Sequence, residues 1–199
     1  MLFRSEFGMT LAQAARAAAD ARRLPQGVPR TLEATSRFSL PGPVFPFGAY
    51  AAVVEVDRKT GTVKPLRVTT VDDAGILVNP LLAEGQVHGS IAQGLAASLW
   101  EEMSYDEAGQ TLTASFADYG IPSAADLGVD IGSEFQVTPS PFNPLGAKGI
   151  GESGAIGVPA AIANAVLDAL APLGVEHADP PYTPEKIWQL LRAAGHRAG

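Results

Sequence analysis

Cysteine is absent from all 199 residues. Without thiolates the chain can neither close a disulfide nor ligate an iron–sulfur cluster. Any electron relay serving it must therefore lie on another polypeptide, whereas the same absence says little about compartment. Charge is also scarce, at 18% of residues, and basic charge scarcer still: 14 Lys and Arg against 21 Asp and Glu give a net charge of −7. That balance excludes a nucleic-acid partner, which would need a basic stripe. No apolar run reaches about 18 residues free of glycine or polar interruption, so no membrane span is expected. Met1–Thr10 lacks the basic and apolar regions of a signal peptide, and a cytoplasmic protein is expected. Internal repeats and low-complexity tracts are missing too. No P-loop lysine motif occurs, and no G-x-G-x-x-G directly follows an expected strand. The three histidines, His88, His177 and His196, are far apart and form no nucleophile triad.

What remains is a globular chain, 46% hydrophobic, with 21 glycines and 16 prolines. Its low charge fits a surface largely covered by partners, or simply an alanine-rich protein with quiet surfaces. Thr10 can cap a helix over Leu11–Arg23. A proline-rich connector follows from Pro25 to Pro46. Gly48–Asp57 alternates as a strand, with Tyr50, Ala52, Val54 and Val56 on one face. A turn at Arg58–Gly61 returns it along Val63–Val71, and Asp72–Gly75 reads as a second turn. Asn79-Pro80 starts a helix to about Glu102. Strands are expected near Thr111–Thr113 and Ile131–Thr138, a helix over Val158–Leu170, and a last helix from Thr183-Pro184 to about Arg192. The fold class is α+β, with antiparallel hairpins and packed helices. Residues 1–46 form the helix and connector, residues 47–199 the main subdomain, and together they make one compact unit.

Chemistry concentrates in Asn143–Gly154, where Glu152 stands among glycines 146, 149, 151 and 154 ahead of an apolar helical stretch. Glycines let backbone approach a ligand closely, and a helix start offers unpaired N–H groups. A lone carboxylate in a dry, glycine-walled pocket suits a general base; a solvent-facing Glu on a glycine-rich turn is the plainer reading. The helix from Pro80 carries Gly85, Gly89 and Gly94, each costing about 1 kcal/mol relative to alanine. Close approach of another backbone or a ligand would offset that cost. On this helix Gln86 offers an amide donor and acceptor to a heterocycle or oxo group, or stands on a solvated face. Glu84 and His88, at i and i+4, could share a metal, but no third ligand is apparent and a hydrogen-bonding role suits His88 better. Lys148 could pair with Glu152 or with an anionic cofactor, or lie on the surface.

Several motifs occur together and in order: Phe47-Gly-Ala-Tyr50, Val54-Glu-Val-Asp57, Val71-Asp-Asp73, Asn79-Pro80, Glu84-Gly-Gln-Val-His-Gly89, Ile91-Ala-Gln-Gly94, and Asn143-Pro-Leu-Gly146 through Gly149-Ile-Gly-Glu152. From about Thr10 to Leu191 the chain resembles the C-terminal part of the molybdopterin-binding large subunit of xanthine-oxidase-family molybdenum hydroxylases. The aerobic carbon monoxide dehydrogenase large subunits are its nearest flavour. The resemblance implies the C-terminal half of that cofactor-binding domain. Glu152 would be the base beside molybdenum in hydroxylation with water-derived oxygen. Gln86 would hydrogen-bond the pterin, and Gly149, Ile150 and Gly151 would bring backbone close to the molybdenum site. The implied cofactor is molybdenum-molybdopterin, in its cytosine dinucleotide form, shared with an N-terminal half of the large subunit that the pattern lacks here. Iron–sulfur and FAD subunits are the implied electron-transfer partners, with neither group in this chain. With no cysteine, the chain cannot supply the copper-binding loop residue of true carbon monoxide dehydrogenases. Met1 begins in mid-domain relative to the family pattern, as in a separately encoded half-subunit, a fragment or a gene remnant; its own Met and orderly first helix favour the first. A docking or assembly module, inactive alone, is the alternative to an enzyme subunit.

Overall fold

A computed structural model describes residues 8–20 and 22–197, with the side chains of His196 and Arg197 left out. The chain divides into two compact units, one ending at Leu40 and the other running from Pro41 onward.

The first unit holds helix α1, Leu11–Ala19. Thr10 and Gln13 form a reciprocal capping box, with the Gln13 N–H donating to Thr10 Oγ1 at 3.2 Å and the Thr10 N–H to Gln13 Oε1 at 2.7 Å. The helix stops short of the expected Arg23. The Asp20 carboxylate accepts the Arg22 backbone N–H and its guanidinium, both at 3.1 Å, and this local bonding competes with another helical turn.

In the second unit, strands β1 (Phe47–Val56) and β2 (Val63–Asp73) form an antiparallel hairpin running from Phe47↔Asp73 to Val56↔Val63. A register shift at Val53/Val54 falls opposite Pro65, whose missing N–H is tolerated at such an irregularity. Asp72 and Asp73, expected in a turn, close β2 instead; the turn falls at Gly75, whose φ of +65° suits glycine. Strand β3, Asp130–Phe135, lies on the other edge of β2 and pairs parallel to it, giving the order β1-β2-β3. The β1–β2 hairpin is antiparallel as expected, and the parallel partner is added because the long connection, with a helix inside it, returns the chain to the start of β2. Thr111–Thr113 makes no strand, only a single bridge from Thr111 to Tyr105.

Helix α2, Pro80–Leu99, begins at Asn79, whose Oδ1 accepts the Leu82 N–H at 3.2 Å. Helix α3 spans Ser153–Leu170 and starts five residues before the expected Val158. A short 3₁₀ turn, Ala171–Leu173, follows it, and helix α4, Pro184–Arg197, extends past the expected Arg192. Thr183 caps α4 through the Lys186 N–H. The core is a spine of fully buried apolar side chains: Val68 from β2, Val87, Ile91 and Leu95 from α2, Val158, Ile162, Val166 and Leu170 from α3, and Ile187 from α4.

Ser153–Leu173 is long and apolar enough to cross a membrane, with a mean hydropathy of 1.6, a property the sequence reading missed. Its buried stripe at Val158, Ile162, Val166 and Leu170 is nevertheless the i, i+4 pattern of a core helix, and Asn164 and Asp168 stand on its exposed side. Helices α2 and α3 approach closely where they lack side chains. A Cβ on Gly94 would lie 2.7 Å from the Val158 Cβ and 2.9 Å from the Gly154 carbonyl oxygen. Gly85 and Gly89 do not share that explanation: a Cβ on either would meet nothing within 4 Å.

Candidate active site

Helix α3 starts without a cap of its own. Glu152 occupies the N-cap position and its carbonyl accepts the Ile156 N–H at 3.1 Å, but its carboxylate makes no capping bond. The cap comes from α2. Ser90 Oγ accepts the Gly154 N–H at 3.0 Å while its own hydroxyl donates to the Val87 carbonyl at 2.9 Å. Glu152 is thereby released from a structural task. Its carboxylate is exposed at the positive end of α3, with no hydrogen bond or ion pair among the described residues. The dry pocket expected around it is not formed by this chain alone.

The loop ahead of Glu152 is pinned to the end of β2. Asn143 spans it, with its Nδ2 donating to the Ala147 carbonyl at 2.8 Å and its Oδ1 accepting the Ala147 N–H at 3.1 Å. The Ile76 N–H donates to the Gly146 carbonyl at 2.9 Å, and the Lys148 N–H to the Ala74 carbonyl at 2.8 Å. Gly146 has φ +66°, and Gly75 packs so tightly against its carbonyl that neither position admits a side chain without displacement.

Lys148 is neither a partner of Glu152 nor a surface lysine. Its side chain is 10% exposed and its Nζ faces Oδ2 of the fully buried Asp73 at 3.2 Å. Asp73 Oδ1 accepts the N–H groups of Gly75 at 2.7 Å and Thr138 at 3.3 Å. Burial would raise the Asp73 pKa, but the bonds from Thr138, Gly75 and Lys148 outweigh it and hold the carboxyl below the usual carboxylate range. The Lys148 ammonium also lies 5.0 Å from the centroid of the Phe47 ring. Next door, the fully buried Asp72 accepts hydrogen bonds from the hydroxyls of Tyr50 and Thr70. Burial first, and then the Asp72 carboxylate, push the Tyr50 phenol upward. The Tyr50 ring lies close against Gly157 of α3, where any side chain would collide with it.

Gln86 comes to the same place from α2. Its Oε1 lies 3.2 Å from where a Cβ on Gly151 would stand, so glycine there leaves room for the amide. Gln86, Lys148 and Ile150 line a cavity of about 300 Å³ together with Asn79, Leu82 and Ala147. Ile150 leans inward on the core, whereas Gly149, Gly151 and Glu152 are exposed beside it. Gly149, like Gly85 and Gly89, has open space where a side chain would be. A larger cleft, about 540 Å³ and lined by Arg58, Leu173 and Arg192, holds none of these residues. Glu84 and His88 stand 4.0 Å apart, with the His88 ring 3.5 Å from Ser133 Oγ. Among the described residues no third ligand joins them.

Sequence reasoning brought forward Gln86, Gly149, Ile150, Gly151 and Glu152, and the fold gathers Gln86 beside the loop that carries the rest. It passed over Ser90, Tyr50 and the buried roles of Asp72 and Asp73. Two adjacent acids closing an apolar strand were the available signal, because buried carboxylates require nearby donors.

A bulky ligand needs from such a surface a forked donor and acceptor and backbone without side chains. Gln86 and the open glycines supply these. Comparison with known proteins points to the same group. Residues 2–128 match the family model of the molybdopterin cofactor-binding domain. The chain is 41% identical over 172 residues to the nicotine 6-hydroxylase large subunit of Paenarthrobacter nicotinovorans, covering 84% of this chain and 20% of that one. It is 38% identical to the carbon monoxide dehydrogenase large chain of Hydrogenophaga pseudoflava, covering 84% of this chain and 21% of that one. The crystal structure of quinoline 2-oxidoreductase from Pseudomonas putida 86 superposes with a TM-score of 0.82 at 41% identity, over 93% of this chain and 24% of that one. The chain belongs to the molybdopterin-binding large-subunit family of xanthine-oxidase-type molybdenum hydroxylases. It spans about a fifth of the length of these curated relatives.

Proposed function

We propose that this chain supplies one wall of a molybdenum hydroxylase active site, with Glu152 as general base and Gln86 and the Gly149–Gly151 backbone as pterin contacts. The observation that carries the reading is the division of labour at the start of α3. Ser90 takes the capping bond, which leaves the Glu152 carboxylate free for a proton. A molybdopterin cofactor, in its cytosine dinucleotide form, would supply the redox chemistry. Gln86 would orient the pterin through its amide, for which Gly151 leaves space. Glu152 would hold and move the proton of the attacking water-derived oxygen, and a facing wall would exclude solvent from it.

That facing wall belongs to a further polypeptide segment, because Glu152 is exposed here. The same exposure favours a second reading for the chain by itself: a docking or assembly half-domain that does not turn over alone. The relatives are named as a large subunit and a large chain. By analogy, electrons would leave toward iron–sulfur and FAD subunits in a cytoplasmic complex.

Two measurements separate the readings. The chain is purified with and without the remaining large-subunit segment and its partner subunits, and molybdenum and pterin are quantified. Cofactor is expected only in the assembled form; stoichiometric metal on the lone chain would refute the half-site. In the assembled form Glu152→Gln is expected to retain cofactor and lose turnover by 100-fold or more, on the order of a missing general base. Wild-type rates in that variant would remove Glu152 from the mechanism.

A further inference from the structure

The two aspartates that close β2 point to opposite faces, as alternate strand residues do. Each is fully buried, and each reaches a different side of Glu152. Asp73 reaches the segment before it: its Oδ2 faces Lys148 Nζ at 3.2 Å, and the Lys148 N–H returns to the Ala74 carbonyl at 2.8 Å. Asp72 reaches the segment after it: it accepts the Tyr50 hydroxyl, and the Tyr50 ring rests on Gly157 in the first turns of α3. Tyr50 also shares a small cavity with Ser153, the residue that follows Glu152. The Glu152 side chain has no tether of its own, so its place depends on the Ser90 bond to Gly154 and, on either side of that, on what holds residues 148 and 157.

We propose that Asp72 with Tyr50, and Asp73 with Lys148, are positioning residues that hold the two ends of the Glu152 segment in register with Gln86. The idea rests on the reading of Glu152 as the base. Of the four side chains, Lys148 lines the cavity beside Gln86 and Ile150. Their substitution is expected to loosen the segment rather than to remove a reacting group. An ion pair that served global stability alone would instead act on the whole core.

The test is amide hydrogen exchange on the full chain. The double variant Asp73→Asn/Lys148→Met replaces the pair with neutral side chains of similar shape and avoids a buried lone charge. Protection of the Gly146, Ala147 and Lys148 amides, all hydrogen-bonded here, is expected to fall about tenfold, while Ile91 and Ile162 in the core change less than about twofold. Tyr50→Phe keeps the ring on Gly157 and is expected to lower protection at Gly154 and Ile156 only. Lys148→Arg is expected to retain loop protection. Unchanged loop protection in the double variant would overturn the proposal, as would an equal loss across α2 and α3. No turnover enters these readings, so they stand or fall separately from the Glu152→Gln experiment.

Discussion

Ser90 Oγ, in the middle of α2, accepts the Gly154 N–H at the start of α3 at 3.0 Å, and both groups are buried. One helix thereby caps another. The bond sits one turn before the close Gly94–Val158 contact, so cap and packing depend on the same register. Ser90→Ala is expected to leave the Gly154 N–H buried without an acceptor, at a cost of about 1–3 kcal/mol. Urea unfolding would read this as a lower midpoint with an unchanged slope.

Tyr50→Phe removes one of two hydroxyl donors to a buried carboxylate and keeps the ring. Local opening at the start of α3 is expected to become easier by about 1–3 kcal/mol, a larger effect than at an exposed tyrosine. The wild-type phenol should also resist titration. Burial and the neighbouring Asp72 raise it further than burial and nearby acids raise Tyr119 and Tyr182, so Tyr50 should be the last tyrosine to give the ultraviolet signature of tyrosinate, well above the ordinary pH of about 10. An alkaline titration in which every tyrosine ionises together near that pH would contradict the geometry.

The sequence carried its local signals plainly. Thr10, Asn79 and Thr183-Pro184 each mark a helix start that the structure shows, and the Gly48–Val71 alternation gives the hairpin. The motifs around Gln86 and Glu152 were enough to name the family. What was not legible depends on contacts distant in sequence. The start of α3 is set by Ser90 on another helix, so Glu152 gives no capping pattern to read. The parallel pairing of β3 follows from the path of a long connection. Lys148 looked like a surface residue because its partner, Asp73, lies at the end of a strand far earlier in the chain.

Acid should loosen the Glu152 loop before it unfolds the helices. The folded Asp73 carboxyl lies below its unfolded value of about 3.9, so its contribution is complete above that pH and fades as pH falls toward the folded value. Amide protection at Lys148 should therefore decline below about pH 4 more steeply than at Ile162. Asp73→Asn, which does not titrate, should flatten that difference. A parallel decline at both amides in the wild type would place the sensitive group elsewhere.

The glycines of α2 divide into two kinds with opposite expected effects. Gly94→Ala would press a methyl into Val158 and the Gly154 carbonyl, and a loss of about 1–3 kcal/mol is expected from overpacking. Gly85→Ala meets open space, so the lone chain should gain about 0.5–1 kcal/mol from helix propensity. A glycine that weakens its own helix without a neighbour to accommodate invites a reason outside the chain. If Gly85 faces the remaining large-subunit segment or the cofactor, the stabilised Gly85→Ala chain should assemble less well with that segment, which sedimentation of the mixed complex would report. Stabilisation with undiminished assembly would remove Gly85 from the interface and leave Gly89 and Gly149 as the open positions to test next.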